Sequence, residues 1–371
     1  MIDRDLLDRV ELVLSRWLAK PKVDIPLLVA LLLVAGIGIL VQFSASAEDP
    51  KLVLNQSLRL GLGFTILWVF SRIPPPWFRS ITPWFFMFAM CLLVAVLFVG
   101  EGRGAHRWLD LGVIRFQPSE LAKLSLPMMV AWYFHSRALP PTWRMLASVS
   151  AMIAVPAVLI AEQPDLGTAL LVASTGVFAV FLAGISWLRI VLIGGAAVAA
   201  LPALWLVMHE YQRNRVRMFL DPEADPLGNG WNIIQSKIAV GSGGTFGKGW
   251  LHSTQARLDF LPEHTTDFAF SVFSEEFGLF GVTALIALYL FIIGRSLWIA
   301  ANARDTFSRL LAGSLGMTFF VYVMVNGGMV AGLLPVVGVP MPLVSYGGTS
   351  AVSLLASFGI IMSIHAHRRR D

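Results

Sequence analysis

Asp267, in the run Leu261-Pro-Glu-His-Thr-Thr-Asp-Phe, is the residue best placed to do chemistry. A carboxylate that opens an apolar helix is partly desolvated, which raises its pKa and prepares it to act as a general base. Around it in sequence lie cations where cations are costly. Arg103, Arg107 and Arg115 fall in one short loop, with Trp108 between them, and Gln117-Pro-Ser-Glu-Leu-Ala-Lys follows. Glu120 and Lys123 are spaced i, i+3, so they share a helix face and can pair with each other or hold a polar ligand. Glu162-Gln-Pro-Asp-Leu-Gly-Thr carries two acids and no base; Asp165 either caps the helix that follows or faces the basic loop across a cavity.

A third polar stretch, 209–267, contains Arg213-Asn-Arg-Val-Arg and then Trp231-Asn-Ile-Ile-Gln-Ser-Lys, with Lys237 as a further cation. Ile233, Ile234 and Ile238 at helical spacing predict an amphipathic helix lying in the membrane interface. The run Gly241-Ser-Gly-Gly-Thr-Phe-Gly-Lys-Gly can turn tightly enough for its amides to approach phosphate, although it lacks the strand, helix and GKS ending of a nucleotide loop. His106, His252 and His264 fit no metal-ligand template, and Ser345 in Ser-Tyr-Gly-Gly lacks a nucleophile elbow. A divalent ion such as Mg or Mn, shared between Glu120, Asp165, Asp267 and a ligand pyrophosphate, needs little dedicated sequence.

The elements that must position these groups are membrane helices. With 56% hydrophobic and 14% charged residues in 371, and mean hydropathy +0.72, the chain has too little charge to coat a soluble globule. It reads as an all-α polytopic membrane protein. Apolar spans fall at 25–43, 54–71, 80–99, 117–134, 145–161, 167–184, 187–208, 268–293, 307–330 and 344–364, about ten segments near the length a bilayer requires. Arg4, Arg9, Arg16, Lys20 and Lys22 before the first span, and Arg368, Arg369 and Arg370 after the last, share a face with Arg72, Arg79, Arg137, Arg144, Arg189, Arg295, Arg304 and Arg309. The positive-inside rule makes that face cytoplasmic and puts both termini there. Ala45-Ser-Ala resembles a signal cleavage site, but the acidic lead-in and long apolar core favour a retained helix. The lone Cys91 excludes a disulfide framework, and the net charge of +5 is a matter of topology rather than of nucleic-acid binding. No internal repeat is visible. The layout is one integral membrane domain, 1–371, with a cytoplasmic segment 1–24, a large outer loop 209–267 between the seventh and eighth spans, and a cytoplasmic tail 365–371.

Arg107-Trp-Leu-Asp-Leu-Gly, Phe116-Gln-Pro-Ser-Glu-Leu-Ala-Lys, Gln163-Pro-Asp-Leu-Gly-Thr, Asp225-Pro-Leu-Gly, Gln235-Ser-Lys-Ile-Ala, Gly247-Lys-Gly-Trp, Leu261-Pro-Glu with Thr266-Asp-Phe, and Val336-Val-Gly-Val-Pro-Met-Pro-Leu-Val-Ser-Tyr-Gly-Gly together resemble the SEDS family over nearly the whole chain. Gly338-Val-Pro before the last run favours its elongation branch over its division branch. The resemblance implies a peptidoglycan glycosyltransferase of the bacterial inner membrane that polymerises lipid II outside the cytoplasm, releases undecaprenyl pyrophosphate and serves cell elongation and rod shape. The family's essential aspartate maps to Asp267. Members usually carry His two residues before it; Thr265 stands there and the histidine is His264.

The reaction needs a base at the GlcNAc 4-hydroxyl and cations at the departing pyrophosphate. An inverting displacement with Asp267 as base satisfies the first need. Arg107, Arg115, Lys123, Lys237 and Arg213 are the candidates for the second, with Glu120 and Asp165 orienting them and Trp108 and Ser345 in the substrate site. The resemblance further implies a partner, a class B penicillin-binding protein with one membrane helix, and the elongation machinery. The competing readings are a flippase for the same lipid, which would want ionisable groups near the midplane, and a scaffold, which leaves the costly arginines unexplained.

Overall fold

The computed structural model describes residues 23–46, 48–100, 107–110, 115–208, 210–226, 230–258, 260–261 and 263–368. Its long elements are helices α1 (Ile25–Ala45), α2 (Pro50–Arg72), α3 (Pro75–Val99), α4 (Ser119–His135), α5 (Trp143–Ala161), α6 (Leu166–Leu182), α7 (Trp187–Val207), α8 (Glu210–Leu220), α9 (Trp231–Ser242), α10 (Ala269–Ala301), α11 (Thr306–Val330) and α12 (Thr349–Ala366). A two-residue hairpin pairs β1 (Leu109–Asp110) antiparallel with β2 (Arg115–Phe116) inside the basic loop. Prolines early in α1, α2 and α3 start those helices without forfeiting a ladder hydrogen bond. Asp24, Asp49, Asp165 and Asp305 cap α1, α2, α6 and α11 through main-chain amides.

Each of the ten expected spans coincides with a helix. Seven of these, α1, α2, α3, α5, α10, α11 and α12, are long and apolar enough to cross a bilayer; α6 and the Trp187–Ala203 part of α7 are apolar but shorter. α4 is also short, at 17 residues, and carries Glu120 and Lys123. The bundle is organised on α11 and α12, the two most buried of the seven. α12 lies along α2, and α11 touches α4, α6 and α10. Tyr289, Phe319 and Phe358 stack edge-on where α10, α11 and α12 meet. α7, by contrast, is exposed throughout 191–203.

Three local expectations are corrected. The eighth span is not one helix opened by Asp267. Gly278, at φ 62° and ψ −164°, breaks α10 into a buried half-helix up to Phe277 and a membrane-length helix after it. A side chain there would be strained, and its Cβ would lie 2.3 Å from the Gly247 nitrogen. The glycine run that looked able to cradle phosphate is spent on this break: Lys248 and Gly249 amides donate to Glu275 and Glu276 carbonyls, while Leu279 and Phe280 amides donate to Gly244 and Thr245 carbonyls. The last helix starts at Thr349 rather than 344, because Met341 to Ser345 closes a turn in which the Met341 amide donates to Ser345 Oγ at 2.9 Å.

α9 also departs in part from its expected faces. Ser236 is fully buried and Ile238 is 46% exposed. The reason is a helix terminus: Ser236 Oγ donates to the carbonyl of Val330, the last residue of α11, at 2.7 Å and lies 2.9 Å from Ser271 Oγ. Those end carbonyls have no partner within their own helix and need a donor from elsewhere.

Candidate active site

Asp267 sits in the turn that precedes the α10 half-helix. Burial, followed by the charge of Glu263, pushes its carboxyl up from 3.8 to about 6; the Arg215 guanidinium opposes this, and a hydrogen bond with Glu263 and the charge of Asp165 add to it. Such a carboxylate is charged at neutral pH yet basic enough to accept a proton from a hydroxyl. Gly338, at φ +73°, lets the 336–346 segment pass close by; a Cβ there would sit 3.5 Å from Asp267 Oδ2. Thr265 offers its carbonyl to the Tyr346 amide at 2.8 Å. The His264 ring is turned back, Nδ1 lying 2.8 Å from the Leu261 carbonyl.

Asp165 takes both of its expected roles. Its Oδ1 accepts from the Thr168 amide at 3.2 Å, capping α6, and its Oδ2 faces Arg107 Nη1 at 3.5 Å and accepts from Gln117 Nε2 at 3.2 Å. Arg107 also donates to the Pro164 carbonyl. Glu120 and Lys123 form a buried pair at 2.8 Å; Ser353 Oγ donates to the second Glu120 oxygen at 2.6 Å, and Tyr322 receives the Lys123 ammonium over its ring at 5.2 Å.

A cavity of about 980 Å³ opens between α2, α3, α4 and α12. Arg59, Trp108, Arg115, Glu120, Tyr346 and Ser353 line its polar part, and the rest is apolar, with Phe70, Phe78 and Leu124 among the walls. A mostly apolar cavity whose polar lining includes two arginines suits a hydrocarbon chain carrying an anionic head. Asp267 does not line it. The link is Tyr346, which lines the cavity and whose amide holds Thr265, two residues from Asp267.

Several sequence-named residues lie elsewhere. Arg213 is occupied at the end of α7, donating to the Trp205 and Leu206 carbonyls and facing Glu210 at 3.6 Å, so the arginine of that cluster that acts on Asp267 is Arg215. Ser345 is buried and closes its own turn. Lys237 lies exposed on α9, its stem crossing Gly332, where a Cβ would fall 2.1 Å from Cε. Among the described residues no group of three or more His, Cys, Asp or Glu side chains could by itself hold a metal ion. Glu120 is already tied to Lys123 and Ser353. Arg103 and His106 lie outside the described residues.

Arg59 was missed. It stacks over the Tyr346 ring at 4.6 Å and has no carboxylate partner among the described residues. Its signal was present, an arginine well inside an apolar span, which is costly without a function.

A family model described as Cell cycle protein, covering FtsW, RodA and SpoVE, matches residues 25–370. The chain is 50% identical over 353 residues to the peptidoglycan glycosyltransferase MrdB of Escherichia coli K12, covering 94% of this chain and 95% of that one. It is 36% identical over 361 residues to an FtsW-named relative from Trichlorobacter lovleyi, covering 92% and 93%. Among solved structures, a chain from work on structural coordination of polymerization and crosslinking by a peptidoglycan synthase complex superposes with TM-score 0.81 at 34% identity, covering 94% of this chain and 99% of that one. The rod shape determining protein RodA of Thermus thermophilus superposes with TM-score 0.72 at 30% identity, covering 94% and 98%. A match running from the first membrane helix almost to the last residue, joined to a relative identical at half of the 353 aligned positions, places this chain in the FtsW/RodA/SpoVE family, the SEDS proteins.

Proposed function

We propose that this protein is a peptidoglycan glycosyltransferase of the elongation branch, polymerising lipid II into β-1,4 glycan strands on the outer face of the bacterial inner membrane, with both termini cytoplasmic. What carries the reading is the placement of Asp267, whose carboxyl burial pushes up to about 6 and whose neighbour Thr265 is tied through the Tyr346 amide to an apolar slot lined by Arg59 and Arg115. In this reading the GlcNAc 4-hydroxyl of the acceptor gives its proton to the Asp267 carboxylate. The oxygen then forms a bond to MurNAc C1 of the donor as the bond from C1 to the pyrophosphate breaks. Configuration inverts from α to β, and no glycosyl-enzyme forms. Arg59 and Arg115 at the polar part of the slot, with Arg107 beside Asp165, meet the negative charge that leaves with undecaprenyl pyrophosphate. The apolar walls hold its hydrocarbon chain. Since the carboxylates do not form a cage, a divalent cation would enter on the pyrophosphate itself. The partner in this reading is a class B penicillin-binding protein; the similar peptidoglycan synthase complex, in which polymerization and crosslinking are coordinated, supports it.

The alternative is a transporter of the same lipid. Ionisable groups at the core of such a protein would be expected near the midplane, whereas here Asp267 and Asp165 lie just before helix starts and Arg107 lies in the loop between α3 and α4. Purified protein with its partner, given lipid II in detergent, separates the two. Glycan strands in a preparation without sealed compartments mean a polymerase, and movement of lipid II across sealed vesicles with no glycan means a transporter.

A further inference from the structure

Three buried side-chain amides, one each on α1, α2 and α11, converge on the two irregular segments that frame Asp267. Asn326 Nδ2 donates to the Asp267 carbonyl at 2.8 Å and to the Val339 carbonyl at 2.7 Å. Gln42 Nε2 donates to the Thr265 carbonyl at 2.9 Å and the Val344 carbonyl at 3.1 Å. Gln56 Nε2 donates to the Ser345 carbonyl at 3.2 Å. All three are 1% exposed or less.

Two features distinguish this from ordinary satisfaction of buried polar groups. Asn326 and Gln42 each donate both N–H bonds to two different chain segments, so each bridges the 263–268 turn to the 336–346 segment. Each also leaves its own carbonyl oxygen buried without a partner, as does Gln56. A buried unpaired acceptor is destabilising, so these amides are held where they are by what they donate to rather than by what their own carbonyls accept. Neither segment contains helix or strand over its bridged residues, so neither has a ladder to hold it in place.

We propose that Asn326 and Gln42 are positioning residues, fixing the Asp267 carboxylate relative to the slot mouth by tying its main chain to the segment that bears Tyr346. The proposal rests on Asp267 being the base. It acts on geometry alone, because a side-chain amide has no charge to lose. The charged groups facing Asp267 are Glu263 on its own turn, Arg215 on α8 and Asp165 at the start of α6, and all three stay in place when an amide is replaced. A change in the pH response of an amide variant therefore reports movement of the carboxylate into water.

The test is steady-state polymerisation of lipid II by the full chain with its partner, comparing wild type, Asn326→Leu and Gln42→Met. Both substitutions nearly conserve volume and remove the donor. The expected result is kcat lowered about tenfold or more, with KM within about twofold, since misplacing a reacting group costs rate rather than ground-state binding. The acid limb of the rate profile moves to lower pH in both variants. Unchanged kcat with an unmoved acid limb in a folded variant overturns the clamp. If one variant does not fold, the other decides; failure of both to fold makes the amides structural and rejects positioning. If wild type shows no acid limb and Asp267→Asn remains active, the base assignment itself has failed, a result distinct from all of these.

Discussion

Protonation of Asp267 should switch the enzyme off while making the protein more stable, and the two effects have opposite signs over one pH window. With the carboxyl at about 6 in the folded chain and 3.8 as its ordinary value, about nine-tenths of molecules carry a protonated, inactive Asp267 at pH 5 and nearly all carry the charged base at pH 7.5. The polymerisation rate should thus fall about tenfold on going from pH 7.5 to 5, with a log–log slope near one. For stability, a carboxyl whose folded pKa is raised binds its proton more tightly when folded. Its penalty is complete above pH 6, shrinks as pH falls, and is gone below the unfolded value of 3.8. The full penalty is on the order of 3 kcal/mol before screening by solvent is allowed for. Asp267→Asn should therefore melt above wild type at pH 7.5, with the difference vanishing as pH falls from 6 toward 4. Glu263→Gln, which removes the second cause of the shift, should carry the acid limb to lower pH, and Arg215→Gln should carry it higher. The assays are initial-rate glycan synthesis and thermal unfolding on the same preparations. A rate flat from pH 7.5 to 5, or an Asn variant no more stable than wild type at any pH, would refute the reasoning.

Other perturbations read other parts of the structure. Lys123→Met alone leaves the Glu120 carboxylate buried and uncompensated and should cost about 3–5 kcal/mol of stability, whereas Glu120→Gln with Lys123→Met should recover most of it. Activity of that double variant then shows whether the ammonium also serves the substrate. Arg59→Ala should raise KM for lipid II at least fivefold with little loss of fold, because the guanidinium stacks on Tyr346 and neutralises no carboxylate among the described residues; an unchanged KM would remove Arg59 from the site. Gly278→Ala should destabilise by more than the ~1–2 kcal/mol of a left-handed residue, since its Cβ cannot fit against Gly247, and a variant as stable as wild type would contradict the broken helix. With Cys91 replaced by Ala, a cysteine at Lys248 should react with an impermeant thiol reagent outside intact cells, while cysteines at Arg144 or Arg304 stay protected; the reverse pattern would put the site in the cytoplasm.

The helices were legible because bilayer-length apolar runs are a one-dimensional signal, and each expected span has a helix. The break at Gly278 was not. Phe277-Gly-Leu is as apolar as its surroundings, and the hydrogen bonds that cap the break come from Gly244 to Gly249, some thirty residues away. The inward turn of Ser236 on α9 has the same origin: it answers a carbonyl at the end of α11. In the site, Asp267 could be read from its place before an apolar run, and Asp165 from its capping position. Arg213 turns back onto the carbonyls at the end of α7 while Arg215 faces Asp267, because residues two apart on a helix point to opposite sides, and only the fold of α8 says which goes where. Asn326, Gln42 and Gln56 are uncharged polar residues within membrane helices, Gln56 between Asn55 and Ser57, and their role appears only when the carbonyls of distant segments are brought to them.

The central claim is that one carboxylate carries the chemistry, and the most direct measurement is glycan synthesis from lipid II by purified Asp267→Asn with its partner beside wild type. Removing a general base at nearly constant volume should lower the rate on the order of 100-fold or more, with the variant still folded and still bound to its partner. Glycan strands made by Asp267→Asn at close to the wild-type rate would contradict the account.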